Sequence, residues 1–202
     1  MKIACLHTLD ANAALFDDAC PEGVTLEHHV REDLLQRAID RGGADEEIIE
    51  ETAEALRGLR ADGVLLTCTT IAPGAARAGA VRVDAALAEA AAERAGEGGL
   101  IEALITIPTT ETATRTVFEA AAAKTGAVVR VTMVDGALEK FQARELGAYA
   151  RLIADAADRS DAKVVALAQA SMAPAAPLSS REVMTSPAAG LAAVIKVAAK
   201  TA

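Results

Sequence analysis

Short apolar runs alternate with amphipathic stretches rich in Ala, Glu and Arg along the whole chain. The runs predict strands at Lys2–Thr8, Thr25–Arg31, Gly63–Thr69, Val81–Val83, Leu100–Ile107, Val128–Val134, Lys163–Gln169 and Glu182–Thr185. Several, including Val64-Leu65-Leu66 and Val164-Val165-Ala166-Leu167, are apolar at every position. That pattern suits strands covered on both faces, hence a parallel sheet. Between them, Glu46–Arg60 places Ile48, Thr52, Ala55, Leu56 and Leu59 on one helical stripe, with Glu and Arg opposite. Thr110–Lys124, Ala137–Arg159 and Pro187–Lys200 read similarly, and Asp84 is placed to cap a helix over Ala85–Arg94. Ser186-Pro187 reads as an N-cap followed by Pro at the first helical position, and Asp45-Glu46-Glu47 suits a helix start. Such alternation predicts an α/β protein with parallel sheets flanked by helices.

The clearest internal break is Gly96-Glu97-Gly98-Gly99, which predicts two α/β lobes. The first covers 1–96 and is completed by the C-terminal helix 186–202; the second covers 97–185. At 202 residues with 52% hydrophobic and 24% charged positions, the chain is globular and long enough for a sizeable core. Aromatics are only 2% and Trp is absent, so that core is built from Ala, Val, Leu and Ile. The net charge of −9, with no Lys/Arg cluster and few stacking faces, argues against nucleic acid as a partner. The opening turns polar at His7, too early for a secretory segment, and no apolar run reaches the roughly 18 residues of a membrane span. Three widely spaced cysteines suit a reducing cytoplasm better than a disulfide framework. Neither they nor the three histidines show a metal-ligand spacing, and His28 and His29, adjacent on a strand, face opposite ways. No metal is expected, and no Gly-rich phosphate loop supports a nucleotide.

In open parallel sheets ligands bind beyond the carboxyl ends of the strands. The predicted strands end at His7-Thr8, at Cys68-Thr69-Thr70, at Thr106 with Thr109-Thr110 beyond, and at Gln169-Ala170-Ser171-Met172. This is a thiol, an imidazole, hydroxyls and an amide with little formal charge, a set suited to a carboxylate or oxyanion. Cys68 is the sharpest candidate, since a strand-end thiol near a helix start is suited to act as a base or nucleophile, with a buried small hydrophobe as the alternative. Cys5, inside an apolar strand, and Cys20, before a turn-like Pro21-Glu22-Gly23, read as small hydrophobes. His7 is a candidate second proton-transfer group, with a plain backbone-bonded strand-end histidine as the alternative. Thr8, Thr69, Thr70, Thr109 and Ser171 are candidate carboxylate donors or, equally, helix caps.

Leu65-Leu66-Thr67-Cys68-Thr69-Thr70-Ile71 resembles the strand-end cysteine motif of the aspartate/glutamate/hydantoin racemase superfamily. Ile3-Ala4-Cys5-Leu6-His7-Thr8, Arg82-Val83-Asp84, Ile105-Thr106-Ile107-Pro108-Thr109-Thr110 and Leu167-Ala168-Gln169-Ala170-Ser171-Met172-Ala173 extend the resemblance over nearly the whole chain. It implies two similar lobes related by a pseudo-twofold, with a cleft between them where two cysteines exchange the proton alpha to a carboxylate. No cofactor is implied. Carried over, Cys68 is the acid/base, Thr69 and Thr70 hold the carboxylate, and Thr8, Thr109 and Ser171 are weaker matches. The second family cysteine aligns with Gln169, whose carboxamide exchanges no proton near neutral pH. The expectation is therefore a cofactor-independent, racemase-like isomerase acting on a small-molecule carboxylate through Cys68, with two-thiol racemisation in doubt. Alternatives are one-thiol decarboxylation of a malonate-type acid, as in the superfamily's arylmalonate decarboxylase, racemisation with His7 as second base, and carboxylate binding without turnover. An assembly role through an Ala-rich helix face, giving a homo-oligomer, is the remaining alternative.

Overall fold

The computed structural model describes residues 1–201. Eight strands form two four-stranded, all-parallel sheets. The first contains β1 (Lys2–His7), β2 (Thr25–Val30), β3 (Gly63–Leu66) and β4 (Val81–Arg82), in the order β2-β1-β3-β4. The second contains β5 (Leu100–Ile105), β6 (Val128–Met133), β7 (Val164–Leu167) and β8 (Met184–Thr185), in the order β6-β5-β7-β8. Every predicted strand is present, each trimmed by one to three residues at one or both ends.

The uniformly apolar runs occupy the sheet centres, as expected for strands covered on both faces. All four residues of β7 are buried, as are all but the first of β5, whereas the edge strands β2 and β6 are mostly half-exposed. The helices are α1 (Asn12–Asp18), α2 (Glu32–Asp40), α3 (Glu46–Gly58), α4 (Pro73–Ala78), α5 (Val83–Ala95), α6 (Glu111–Ala122), α7 (Ala137–Gln142), α8 (Leu146–Asp158) and α9 (Ser186–Thr201). Two 3₁₀ segments, Pro108–Thr110 and Ala170–Leu178, follow β5 and β7. In α3 the expected stripe is buried at Ile48, Thr52 and Leu56, and Asp45 caps it by accepting from the Ile48 N–H at 3.0 Å.

Three local expectations change. The single helix predicted over Ala137–Arg159 is two, because Arg144 turns into the left-handed region at φ 58°. The Glu145 N–H then returns to the Lys140 carbonyl and the Arg144 N–H to Phe141, a helix-ending double bond usually made with glycine. Ser186 is not a free cap: its hydroxyl donates to the Leu167 carbonyl at the end of β7. Asp84 lies inside α5, where it accepts from the Ala85 N–H and, bidentately, from Arg82.

The chain divides within α5 into two compact units, Met1–Ala86 with the C-terminal segment from Pro187 on, and Leu87–Ser186. The first unit's core gathers Leu6, Leu34, Ile48, Leu56, Leu66 and Ile71. On its other sheet face α9 packs so closely that a Cβ on Gly190 would lie 2.8 Å from Val83, and one on Gly63 2.8 Å from Val194. The second unit's core gathers Leu104, Tyr149, Ile153, Val165, Leu167 and Met172.

Candidate active site at the strand ends

In the first unit β1 is followed by Thr8, and its neighbour β3 by Thr67-Cys68-Thr69-Thr70. The Thr67 N–H donates to the Leu6 carbonyl at 3.1 Å, extending the pairing one residue past the strand. Cys68 leaves the ladder there, half-buried and packed against the core cluster that holds Leu6 and Ile71. Thr8 is buried, Thr69 half-buried and Thr70 exposed. Among the described residues, the backbone N–H groups of Cys68, Thr69 and Thr70 donate to no protein acceptor. A thiol, hydroxyls and unspent N–H donors on one short loop are what a carboxylate or developing oxyanion requires. The loop leads into α4, which is seated on α3 through Gly74; a Cβ there would lie 2.6 Å from the Thr52 side chain.

His7, read as a proton-transfer candidate or a bonded strand-end histidine, is engaged through both ring nitrogens. It is completely buried, its Nδ1 lies 2.9 Å from Thr67 Oγ1, and its Nε2 lies 2.8 Å from His28 Nδ1. His28 Nε2 lies in turn 3.1 Å from the Asp17 carboxylate, and Thr67 Oγ1 donates to the Leu6 carbonyl. Burial, and then the neighbouring His28, push the His7 pKa down to about 4. Both its ring nitrogens are therefore occupied within the lobe. Cys5 lies beneath, fully buried, and burial pushes its thiol up to about 12. Because β1 and β2 pair with Cys5 opposite His28, one donor atom each from Cys5, His7 and His28 lies within 4.8 Å of the others. Linear spacing hid this cluster; the available signal was the Cys5-x-His7 alternation, which puts both side chains on one strand face. His29 points to the other face, 2.9 Å from Glu27.

The second unit repeats the geometry with other residues. β5 is followed by buried Thr106, β7 by Ala168-Gln169-Ala170-Ser171, and the Ala168 N–H donates to the Leu104 carbonyl at 3.1 Å. Gln169 thus stands where Cys68 stands in the first unit, two positions past the third strand of its sheet. Its Oε1 accepts from both the Thr106 N–H at 2.7 Å and the Thr106 hydroxyl at 2.9 Å. The network continues through the Tyr149 hydroxyl, 3.2 Å from Thr106 Oγ1 and 3.0 Å from Ser171 Oγ. Burial raises the Tyr149 pKa despite these bonds. Thr109 is exposed in the 3₁₀ segment after β5. Thr106 and Tyr149 were missed as members of this network; for Tyr149 the only signal was its being the single tyrosine of the chain. A groove of about 460 Å³ lies elsewhere in this unit, beside the edge strand β6 and α8, and is lined by Glu102, Arg130, Thr132, Arg159 and Ser160. It includes none of Thr106, Thr109, Gln169 and Ser171.

No family model matches the sequence, and no curated protein matches it. Solved structures do. The chain is similar to an allantoin racemase from Klebsiella pneumoniae, at 15% identity with a TM-score of 0.67, over 100% of this chain and 89% of that one. It is similar to the allantoin racemase from Pseudomonas fluorescens, at 14% identity and a TM-score of 0.65, over 100% of this chain and 92% of that one. An Asp/Glu racemase candidate from Yersinia pestis matches at 14% identity and 0.65, over 98% and 100%. At these identities the likeness is one of fold: the chain has the two-unit α/β architecture of these proteins.

Proposed function

We propose that the protein is a racemase-like enzyme that handles the proton alpha to a small carboxylate, with Cys68 as the acid/base. The observation that carries the proposal is the loop Cys68-Thr69-Thr70: a half-buried thiol followed by two threonines, on a turn with three unspent N–H donors, at the carboxyl end of a central parallel strand. A carbanion alpha to a carboxylate survives only as an enediolate, and an enediolate needs fixed donors on its oxygens and a proton-transfer group at its carbon. The loop supplies both kinds of group. Thr8, buried just past β1, is proposed as a further donor to the substrate. The fold shared with allantoin and Asp/Glu racemase structures supports the reading. No cofactor is assigned, and a reducing, cytoplasmic setting is proposed from the three free cysteines.

A second reading concerns how many faces of the carbon are served. Gln169 spends its carbonyl oxygen on Thr106, and its carboxamide does not titrate near neutral pH. His7 has both nitrogens occupied. These observations favour chemistry with a single proton-transfer group, such as loss of carbon dioxide from a malonate-type acid followed by protonation on one face. Iodoacetamide labelling tests the site. Cys68 is expected to alkylate faster than Cys20 and Cys5, and small dicarboxylates are expected to slow it selectively; labelling of Cys68 unaffected by any acid of a broad panel would contradict the proposal.

A further inference from the structure

The face of β1 and β2 that carries Cys5, His7 and His28 has a counterpart in the second unit. Matching the strands position by position, the equivalents are Ala103, Ile105 and Val131, all apolar. The fold therefore has no need of a polar triad here; an ordinary hydrophobic face builds the same sheet. In the first unit three donors have been placed at these positions, two of them fully buried.

Their arrangement is that of ligands with their supports. A ligating imidazole holds its metal with one nitrogen and donates its other N–H to a carboxylate or another oxygen, which fixes ring and tautomer. His28 turns Nε2 to Asp17 and leaves Nδ1 facing inward. His7 turns Nδ1 to Thr67, whose hydroxyl is itself anchored on the Leu6 carbonyl, and leaves Nε2 facing inward. The two inward nitrogens are 2.8 Å apart, which requires one proton between them. A tetrahedral zinc ion sets its nitrogen ligands about 3.3 Å apart and its sulfur about 3.6 Å from each. The donors, all within 4.8 Å of one another, need only small side-chain shifts to reach that geometry.

We propose that Cys5 Sγ, His7 Nε2 and His28 Nδ1 form a three-ligand site for a divalent ion of the zinc class, with solvent completing the shell. Thiolate plus two imidazoles is a donor set for zinc or copper rather than for magnesium or calcium. Binding releases two protons to solvent, one from the Cys5 thiol and the one between the rings, while His7 keeps its Nδ1–H on Thr67 Oγ1 and His28 its Nε2–H on Asp17. Asp17 and Thr67 are positioning residues. The site clamps β1 to its edge neighbour β2 and does not use Cys68 as a ligand, so its failure leaves the carbanion reading standing.

The test is a titration of the full-length, chelator-treated protein, kept reduced, with Co²⁺ and then Zn²⁺. One Co²⁺ per chain is expected, with tetrahedral visible bands and a thiolate charge-transfer band in the near ultraviolet, displaced by equimolar Zn²⁺. Cys5→Ser should abolish the charge-transfer band, while Cys20→Ser and Cys68→Ala should keep it. Asp17→Ala should keep the stoichiometry and weaken Zn²⁺ affinity by about 10–100-fold. His28→Gln, on a half-exposed edge strand, is the variant that guards against misfolding: a native circular dichroism spectrum with stoichiometric binding lost supports the site. No stoichiometric binding by the folded wild-type chain, or a charge-transfer band that survives in Cys5→Ser, would overturn it.

Discussion

The two units are built to one plan and furnished differently. Both order their strands alike, and both extend the central pairing with a 3.1 Å bond one residue past the third strand. Position by position the chemistry parts: Ala4 faces Glu102 in the comparison, Cys5 faces Ala103, His7 faces Ile105, Thr67 faces Ala168 and Cys68 faces Gln169. Titratable nitrogen and sulfur are concentrated at the strand ends of the first unit. The second unit's strand end is a hydrogen-bonded chain of hydroxyls and an amide through Thr106, Gln169, Tyr149 and Ser171. A duplicated backbone plan thus fixes where chemistry can sit, while the side chains at equivalent positions decide which unit does it.

The largest effect is expected where the units differ in reactivity. Cys68→Ala should lower turnover of a carboxylate substrate by about 10²–10⁴-fold, the usual worth of a positioned acid/base, with an unchanged circular dichroism spectrum. Steady-state rates measure it.

Next comes the charge buried in the second unit where the first has alanine. Burial alone would raise the Glu102 carboxyl, but hydrogen bonds from Arg130, Ser160 and Thr132 outweigh it and hold the group below its ordinary value of 4.5. A carboxyl depressed in the folded state contributes stability that is present above pH 4.5 and is lost as pH falls through its folded value. Glu102→Gln should cost about 2–3 kcal/mol in urea unfolding near neutral pH. It should also flatten the loss of stability on the acid side of pH 4.5.

The hydrogen-bonded network itself can be opened. Gln169→Leu leaves the buried Thr106 N–H without its acceptor and should cost about 1–2 kcal/mol by the same measurement. The smallest effect is outside the sites: Arg144→Gly removes a left-handed strain at φ 58° and should stabilise by up to about 1 kcal/mol, seen as a raised Tm.

The strands were legible because parallel strands covered on both faces must be apolar throughout, and Val64-Leu65-Leu66 and Val164-Val165-Ala166-Leu167 are. Cys68 and Gln169 were legible as strand-end residues for the same reason. The break at Arg144 was not, because the residue usually marking such a helix end is glycine. Short helices such as α4, six residues opening Pro73-Gly74, carry too little periodicity to read. The Cys5–His7–His28 cluster was hidden because it depends on the pairing of β1 with β2, and pairing across sequence distance leaves no mark in linear spacing. Nor does spacing reveal that both nitrogens of His7 are taken.

The most direct test of the account is proton exchange at carbon. The protein, and its Cys68→Ala variant, would be incubated in deuterated water with amino acids, hydroxy acids, hydantoins and malonates, and the alpha position followed by proton NMR. The account predicts deuterium entering the alpha carbon of at least one acid, by exchange or with loss of carbon dioxide, only when Cys68 is present, and on a single face. Incorporation that persists without Cys68, or no incorporation by a folded protein across the whole panel, would contradict it.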